Sequence, residues 1–432
     1  MSNYFDNEDH RVIFAIDSKS FYASVGAVSL GYDPLDVALI VISTGPNVGG
    51  DGLILATSPL AKKFYGLKSN VSRLRDMPKN DNRLIMASPQ MNLYIYINTQ
   101  INNIYRKYVD EKDLHIYSID ESFLDMTNTW KLFGNSKREI AKKIQKEVLD
   151  ETGIYTTIGI GENLTQAKIA MDVYAKNNDD SRLGEINYKL VKDRLWPIKD
   201  LNSVWSIGSK TAKKLQKIGI NSLDDLAHYD PYKLEKKFGI IGGQLYLLSW
   251  GIDRAIISQK VYPKEKSYGN SQVLPKNYTS ADEIEVVLRE ISDQVAARIR
   301  KHHFQTSLVH VWVGNEYTNG GFSKQTKITP TNESKILNQI VVDIFHANWR
   351  GDKIRNISVY FGNLIPDNSQ QFDLFRTSEQ QIEERKLDRI TDSLRLKFGF
   401  SKLVKASSIL PGGTAIERAG LVGGHNGGNS YE

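Results

Sequence analysis

The periodicity of apolar residues changes twice along this chain, and no single core can satisfy the three patterns that result. From residue 12 to about 195, short buried-type strands alternate with amphipathic helices. Residues 196–257 read as short helices separated by glycine turns. Beyond 267 the chain alternates like strands at 272–274, 307–313, 321–328 and 354–361. Two helices lie among these strands. Ile284, Val287, Leu288, Ile291, Val295 and Ile299 share one face of the first, and Ile336, Leu337, Ile340, Val341 and Ile344 one face of the second. A charged helix follows near 379–397. The last 34 residues hold eight glycines and are expected to be irregular or ordered only by contacts. The 432 residues suffice for roughly three domains. The longest purely apolar run, residues 37–42, is far too short to cross a bilayer.

Within the first pattern, a strand at 12–16 runs into Asp17 and a helix starts from Ser20. Apolar runs at 37–42 and 53–56, separated by glycine turns, predict a hairpin. The turn-rich segment 31–87 interrupts two pieces of one α/β unit. That unit resumes with a helix at 94–108, a hairpin at 115–125, a helix at 137–149 and a strand at 154–160. A helix then follows for which Asn163 is the N-cap and Gln166 its capping-box partner. This order predicts an α+β sheet layered on helices. The polar stretch 254–266 reads as a linker.

Composition removes several chemistries. There are no cysteines, so disulfides, thiolate zinc sites and cysteine nucleophiles are excluded. The eight histidines are scattered, and the one adjacent pair, His302 and His303, cannot share a helix face. A bound metal is therefore expected to be a hard cation on carboxylates. The net charge of +6 says little by itself, but its distribution is uneven. Residues 110–125 carry six acids against Lys112 alone, and residues 199–220 carry five lysines against Asp200 alone. The acidic, polar N-terminus lacks a signal-peptide core, so a soluble cytoplasmic protein without membrane association is expected.

Three carboxylates lead the chemistry. Asp17 ends a buried strand; Asp120 and Glu121 are adjacent and reach one site only at a hairpin tip. Their apolar flanks make burial costly unless a cation compensates. Three acids around two ions suit in-line displacement at phosphorus. By themselves they also read as three unrelated surface acids. Residues 204–220 look like a helix-hairpin-helix whose glycine turn at Gly208 offers backbone N–H groups to phosphate without reading bases. Lys210, Lys213, Lys214 and Lys217 favour this over a plain packing hairpin. Gly159-Ile160-Gly161 lacks the third glycine and distant acid of a dinucleotide site.

Asp17-Ser18-Lys19-Ser20-Phe21-Tyr22-Ala23-Ser24, followed by Tyr117-Ser118-Ile119-Asp120-Glu121-Ser122-Phe123-Leu124-Asp125, closely resembles the signature pair of Y-family DNA polymerases, the lesion-bypass enzymes. The resemblance covers about residues 11–375 and implies a right-hand polymerase plan with a separate α/β little finger. The palm would be 11–30 and 88–195, the fingers 31–87, the thumb 196–253 and the little finger 267–366. It implies two magnesium ions on Asp17, Asp120, Glu121 and the Ser18 carbonyl, with Asp125 supporting the hairpin. Tyr22 falls at the steric-gate position, where a ring beneath the sugar refuses a 2′-hydroxyl; Phe21 beside it is a nucleotide-site candidate better suited to packing. Lys62 matches the fingers motif, with Lys63 as the alternative because one extra residue precedes Gly66. Lys176 matches the palm lysine that neutralises triphosphate charge. Lys19 departs from the family's usual asparagine, and Gly26 from a frequent glutamate.

For DNA, the resemblance implies the thumb around Gly208, Lys210 and Lys213, with Lys324, Lys327 and Arg355 as little-finger phosphate contacts. Gln371-Phe372-Asp373-Leu374-Phe375 resembles the bacterial sliding-clamp peptide, with Gln371, Leu374 and Phe375 as anchors or, alternatively, as packing residues. Its placement and the glycine-rich tail point to the UmuC-like branch of Gram-positive bacteria and their mobile elements. The implied function is low-fidelity, template-directed translesion synthesis on primer-template DNA with deoxynucleoside triphosphates. Whether a UmuD-like protein or a recombinase filament is required stays open. Two alternatives remain: a two-metal nuclease, against which Tyr22 argues, and a catalytically silent DNA- and clamp-binding factor of the same fold.

Overall fold

The structure, a computed structural model, describes residues 5, 7–43, 52–78, 81–259, 266–315, 320–368, 377–422 and 425–426. Its first sheet has five strands in the order Leu114–Ile116, Glu121–Asp125, Ile13–Ser18, Thr156–Gly161 and Leu183–Glu185. The central strand, Ile13–Ser18, is buried along its whole length, as its unbroken apolar run requires. It is antiparallel to both neighbours, so Asp17 lies opposite Glu121 on one side and Thr157 on the other. Leu183–Glu185 runs parallel to Thr156–Gly161. It escaped the sequence reading because three residues carry no measurable period.

Helices Phe21–Ser29, Met91–Tyr105 and Lys137–Thr152 cover one face of this sheet, burying Phe14, Ile16, Tyr94, Tyr105, Ile144 and Val148 together. The other face carries one helix, Leu164–Ile169, which continues as a π-helical turn through Ala170–Ala175. That helix sinks into a groove made of glycines. A Cβ at Gly159 would lie 2.0 Å from the Ala167 carbonyl oxygen, one at Gly161 2.3 Å from the Ala167 nitrogen, and one at Gly184 2.2 Å from the Ala170 oxygen. The Gly159-Ile160-Gly161 sequence thus serves helix-on-sheet packing.

A smaller core, including Ile40, Ile42, Ile54, Ala61 and Leu67, surrounds the expected hairpin of Leu39–Ser43 and Leu53–Thr57. A third strand, Ile85–Ala87, adds parallel to it. The short helices Ser209–Gln216, Leu223–Ala227, Pro231–Phe238 and Ile240–Ser249 enclose a separate core with Leu215, Leu226, Leu234 and Leu245.

The last sheet is antiparallel, in the order Gly321–Thr331, Phe304–Gly314, Ile354–Pro366 and Tyr268–Tyr278. Ala281–Lys301 and Ser334–Asn348 pack on one face through the predicted stripes. The opposite face, with His310, Trp312 and Tyr360, is open. Its polar content is why sequence alternation understated the strand lengths.

After helix Ser378–Phe398 the glycine-rich chain is ordered by contacts. The Tyr278 hydroxyl donates to the Gly412 carbonyl (3.1 Å), and the Thr414 N–H and hydroxyl reach Glu290 (3.0 and 3.1 Å). Val422 then packs against the first core, and His425 meets Ser43 at 3.3 Å. Among the described residues no helix is long and apolar enough to cross a membrane.

Gly159→Ala should force the helix off the sheet and cost about 1–3 kcal/mol or more. Gly243→Ala, where no atom lies within 4 Å of the added Cβ, should be neutral or stabilise by up to about 1 kcal/mol. Chemical denaturation of both variants measures the difference; equal stabilities would contradict the close seat.

Candidate active site

The central strand ends at Asp17, and the chain turns abruptly into the next helix. Ser20 makes that turn with a positive φ of 51°, unusual for a residue with a side chain. The turn directs both Asp17 and Tyr22 toward one cleft. Facing them is the tip of the 114–125 hairpin. There the N–H groups of Tyr117 and Ser118 both donate to the Glu121 carbonyl (2.9 and 3.0 Å), and the Ser18 N–H donates to the Asp120 carbonyl (2.8 Å). Asp120 therefore sits in the bend and Glu121 opens the strand, so neighbouring carboxylates serve one cleft. From the side, Asn98 donates to the Ile119 carbonyl (2.7 Å) and the Ser122 hydroxyl donates to Asn102 (2.9 Å).

The third wall is the helix seated on the glycines. Lys168, Asp172 and Lys176 are spaced four apart, which puts all three on one side of the helix, and their ion pairs place that side at the cleft. Lys176 Nζ lies 3.0 Å from Asp17 and from Asp172, and 3.6 Å from Glu121. Lys168 Nζ lies 2.8 Å from Glu121 and 3.0 Å from Asp172. The result is a closed ladder of alternating charge. Burial pushes the Asp17 carboxyl up to about 7 against the pull of Lys176, and the charges of Asp120 and Glu121 add to the rise. Burial alone would depress Lys176, but Asp17 and Asp172 outweigh it and hold the ammonium above its ordinary range. Lys168 and Asp172 were missed by the sequence reading, although both stand in the stretch that pointed to Lys176.

The donor set of Asp17, Asp120 and Glu121 is all oxygen, which suits a hard divalent cation, and crowding of negative charge at Asp17 would be relieved by one. As the side chains stand, no three acidic or histidine groups among the described residues converge on one point. Lys176 holds Asp17, and the Ser118 hydroxyl donates to Asp120 (2.7 Å). The residues fit the cation in chemistry, with lysines as the present counter-charge.

The impB/mucB/samB family description matches residues 16–172, its helix-hairpin-helix motif 191–220 and its C-terminal domain 265–374. The UvrX protein of Bacillus subtilis (strain 168), named for UV-damage repair, is 36% identical over 96% of this chain and 97% of its own length. This chain belongs to the Y family of DNA polymerases. DNA polymerase IV 2 of the same organism is 34% identical over 96% of this chain and 98% of its own. A Y-family DNA polymerase chimera of Dbh and Dpo4 superposes with a TM-score of 0.67 at 24% identity, over 82% of this chain and 99% of that one.

In the family's terms the five-stranded unit is the palm. Tyr22 is half-buried over the cleft, its ring stacked on Tyr94 at 4.4 Å and 16°. Burial, and then the charge of Asp120, raise its hydroxyl pKa. Phe21 is closed into the palm core, so its ring cannot reach a nucleotide. Asp125 stands at the far end of its strand and holds Thr127. Lys19 pairs with Asp179 at 2.9 Å. Gly26 faces Leu39, Val41 and Ala87, so a glutamate there would enter an apolar contact.

In the fingers, Ser58 caps helix Pro59–Tyr65 by accepting the Ala61 N–H, and both Lys62 and Lys63 are exposed on it. Lys63 is near enough to Asp179 to help Lys19, the main cause, hold that carboxylate below its ordinary value. In the thumb, Gly208 precedes helix Ser209–Gln216 with open space beside it, and Lys210, Lys213, Lys214 and Lys217 are all exposed. A residue the sequence reading passed over, Trp205, braces the 114–125 hairpin: its indole N–H donates to the Tyr117 hydroxyl (3.3 Å), edge-on to that ring.

The little-finger residues need correction. Lys324 pairs with Val311 and Lys327 with Leu308 in continuous register, and their odd spacing puts the two lysines on opposite faces of an edge strand. Lys327 belongs to the open face. Arg355 sits at a second register shift and is only 8% exposed, which does not present it to DNA. Gln371, Leu374 and Phe375 lie outside the described residues.

Lys168→Met should remove the buried partner of Glu121 and Asp172, leave only Lys176 at 3.6 Å to balance Glu121, and destabilise by on the order of 3 kcal/mol. Lys176→Met, at a more open position, should cost well under half of that. Urea denaturation of the two variants tests the difference, and equal losses would contradict the distinct burial of the two lysines.

Proposed function

We propose that this chain is a translesion polymerase: it extends a primer opposite damaged template bases, with low fidelity. Its family makes it a DNA-directed DNA polymerase; the observation that carries the finer reading is the small fingers unit. Its core is built around one three-stranded sheet and a seven-residue helix. Such a lid places few contacts on the nascent pair, so a distorted template base is tolerated and mispairs are less well rejected.

Asp17, Asp120, Glu121 and the Ser18 carbonyl would hold two magnesium ions, which when bound supply activation of the primer's attacking oxygen and stabilisation of the leaving pyrophosphate. The chain's own residues do the rest. Lys176 leaves Asp17 for the β- and γ-phosphates of the incoming nucleotide, and Lys63 approaches the same phosphates from the fingers. Lys168 stays with Glu121 and keeps that carboxylate oriented. The Tyr22 ring, braced by Tyr94, lies beneath the sugar and refuses a 2′-hydroxyl. The thumb grips the primer-template backbone at Gly208 with Lys210 and Lys213, which makes binding blind to sequence and sensitive to salt. Gln371, Leu374 and Phe375 tether the enzyme to the sliding clamp, raising its local concentration on DNA without a new DNA contact.

Primer extension on undamaged and abasic templates tests the proposal. The wild type should pass the abasic site. Asp120→Ala should lose extension by about a thousandfold, ~4 kcal/mol of barrier, with DNA affinity nearly unchanged. Extension retained within about tenfold would remove Asp120 from the reaction.

Tyr22→Ala should raise ribonucleotide incorporation relative to deoxynucleotide, whereas Phe21→Ala should mainly lower the melting temperature. Unchanged sugar discrimination in Tyr22→Ala would sink the gate assignment.

A further inference from the structure

Helix Ser378–Phe398 presents its two faces in the reverse of the usual arrangement. Its charged side is turned inward. The Arg300 guanidinium donates to both oxygens of Asp392 (2.7 and 3.0 Å) and to Asp388 (3.3 Å). Asp388 also accepts the Ser334 N–H (2.9 Å) at the start of the neighbouring helix, and Lys335 pairs with Glu384 (2.7 Å). Its apolar side is turned outward. Leu387, Ile390, Leu394 and Phe398 recur at spacings of three and four and are 64%, 47%, 40% and 55% exposed.

A surface helix ordinarily turns such a stripe toward its own core. Here ion pairs on the opposite side keep it out, and a contiguous exposed apolar stripe marks a contact site. The charges bordering it identify the partner. Lys386, Arg389 and Lys397 line one edge, and among the described residues none of them forms an ion pair; the acids on that side, Glu379 and Glu383, stand near the start of the helix, ahead of the stripe.

We propose that this face docks an acidic amphipathic helix of another protein. Its apolar residues would lie along Leu387, Ile390, Leu394 and Phe398, and its carboxylates against Lys386, Arg389 and Lys397. A second copy of this chain fits less well, because it brings the same basic edge. The proposal does not depend on the polymerase mechanism.

The test uses the full-length protein and two synthetic peptides stapled as helices. Both carry one leucine stripe, flanked by glutamates in the first and by lysines in the second. Fluorescence anisotropy should show the glutamate peptide binding at least about tenfold more tightly. Ile390→Ser with Leu394→Ser should weaken that binding by about tenfold or more, with primer extension in the absence of peptide unchanged. Lys386→Glu with Arg389→Glu, which leaves the stripe intact, should reverse the preference between the peptides. Equal binding of the two peptides, or binding unaffected by the serine pair, would overturn the proposal. So would concentration-dependent dimerisation of the wild type, seen by sedimentation and lost in the serine pair, which would assign the face to a second copy.

Discussion

The helix that begins at Leu164 touches the backbone of strand Thr156–Gly161, and the chemistry of the cleft depends on that contact. Side chains at 159 and 161 would hold the two apart. Because they are absent, Lys168 and Lys176 reach the same carboxylates that the central strand and the hairpin tip bring together. The π turn extends the match. Four-residue spacing sets Lys168, Asp172 and Lys176 along one side of the helix, and the π-helical stretch carries that row to its end at Lys176. The ladder that results balances buried charges against each other, and a cleft of this kind can exchange one cation for another at little electrostatic cost.

The surrounding units hold that cleft at its edges. Trp205 carries the thumb against the hairpin, while Asn163 and Gln166 donate to the Gly251 carbonyl (2.8 and 2.9 Å) at the thumb's far end. On the opposite side the Tyr155 hydroxyl donates to Asp33 (2.9 Å), joining palm to fingers. The little finger is bound differently. Its tail runs over its own helices and then reaches the fingers at Ser43, so the C-terminal segment links two units that the chain order separates.

Much of this was legible in the sequence because it lies in contiguous stretches. Asp17 and Tyr22 share one, Asp120 and Glu121 another, and the requirement for a hairpin tip at Asp120 follows from strand geometry alone. The helices at 284–299 and 336–344 followed from their stripes. What was not legible depends on packing partners. Gly159 and Gly161, at the end of a legible strand, have no visible purpose until the helix above them is known. Lys168 and Asp172 share a helix face by their spacing but gain meaning only once Glu121 is placed against that face. Lys324, Lys327 and Arg355 read as one basic group along strands, but the odd spacing of the two lysines puts them on opposite faces, and Arg355, at the register shift of 354–356, is buried. Phe21 and Tyr22 are adjacent aromatics; the resemblance assigns packing to the first and the gate to the second, and in the structure the first ring is buried and the second lies over the cleft.

The central claim is that Lys176 is the resident counter-charge of a seat built for cations. Binding of Mn2+, followed by electron paramagnetic resonance in the absence of nucleotide and DNA, tests it directly on wild type and Lys176→Met. Removing the ammonium should leave Asp17 and Glu121 freer to bind metal, so the variant should take up Mn2+ about tenfold more tightly than wild type. Equal or weaker binding by Lys176→Met would contradict the claim.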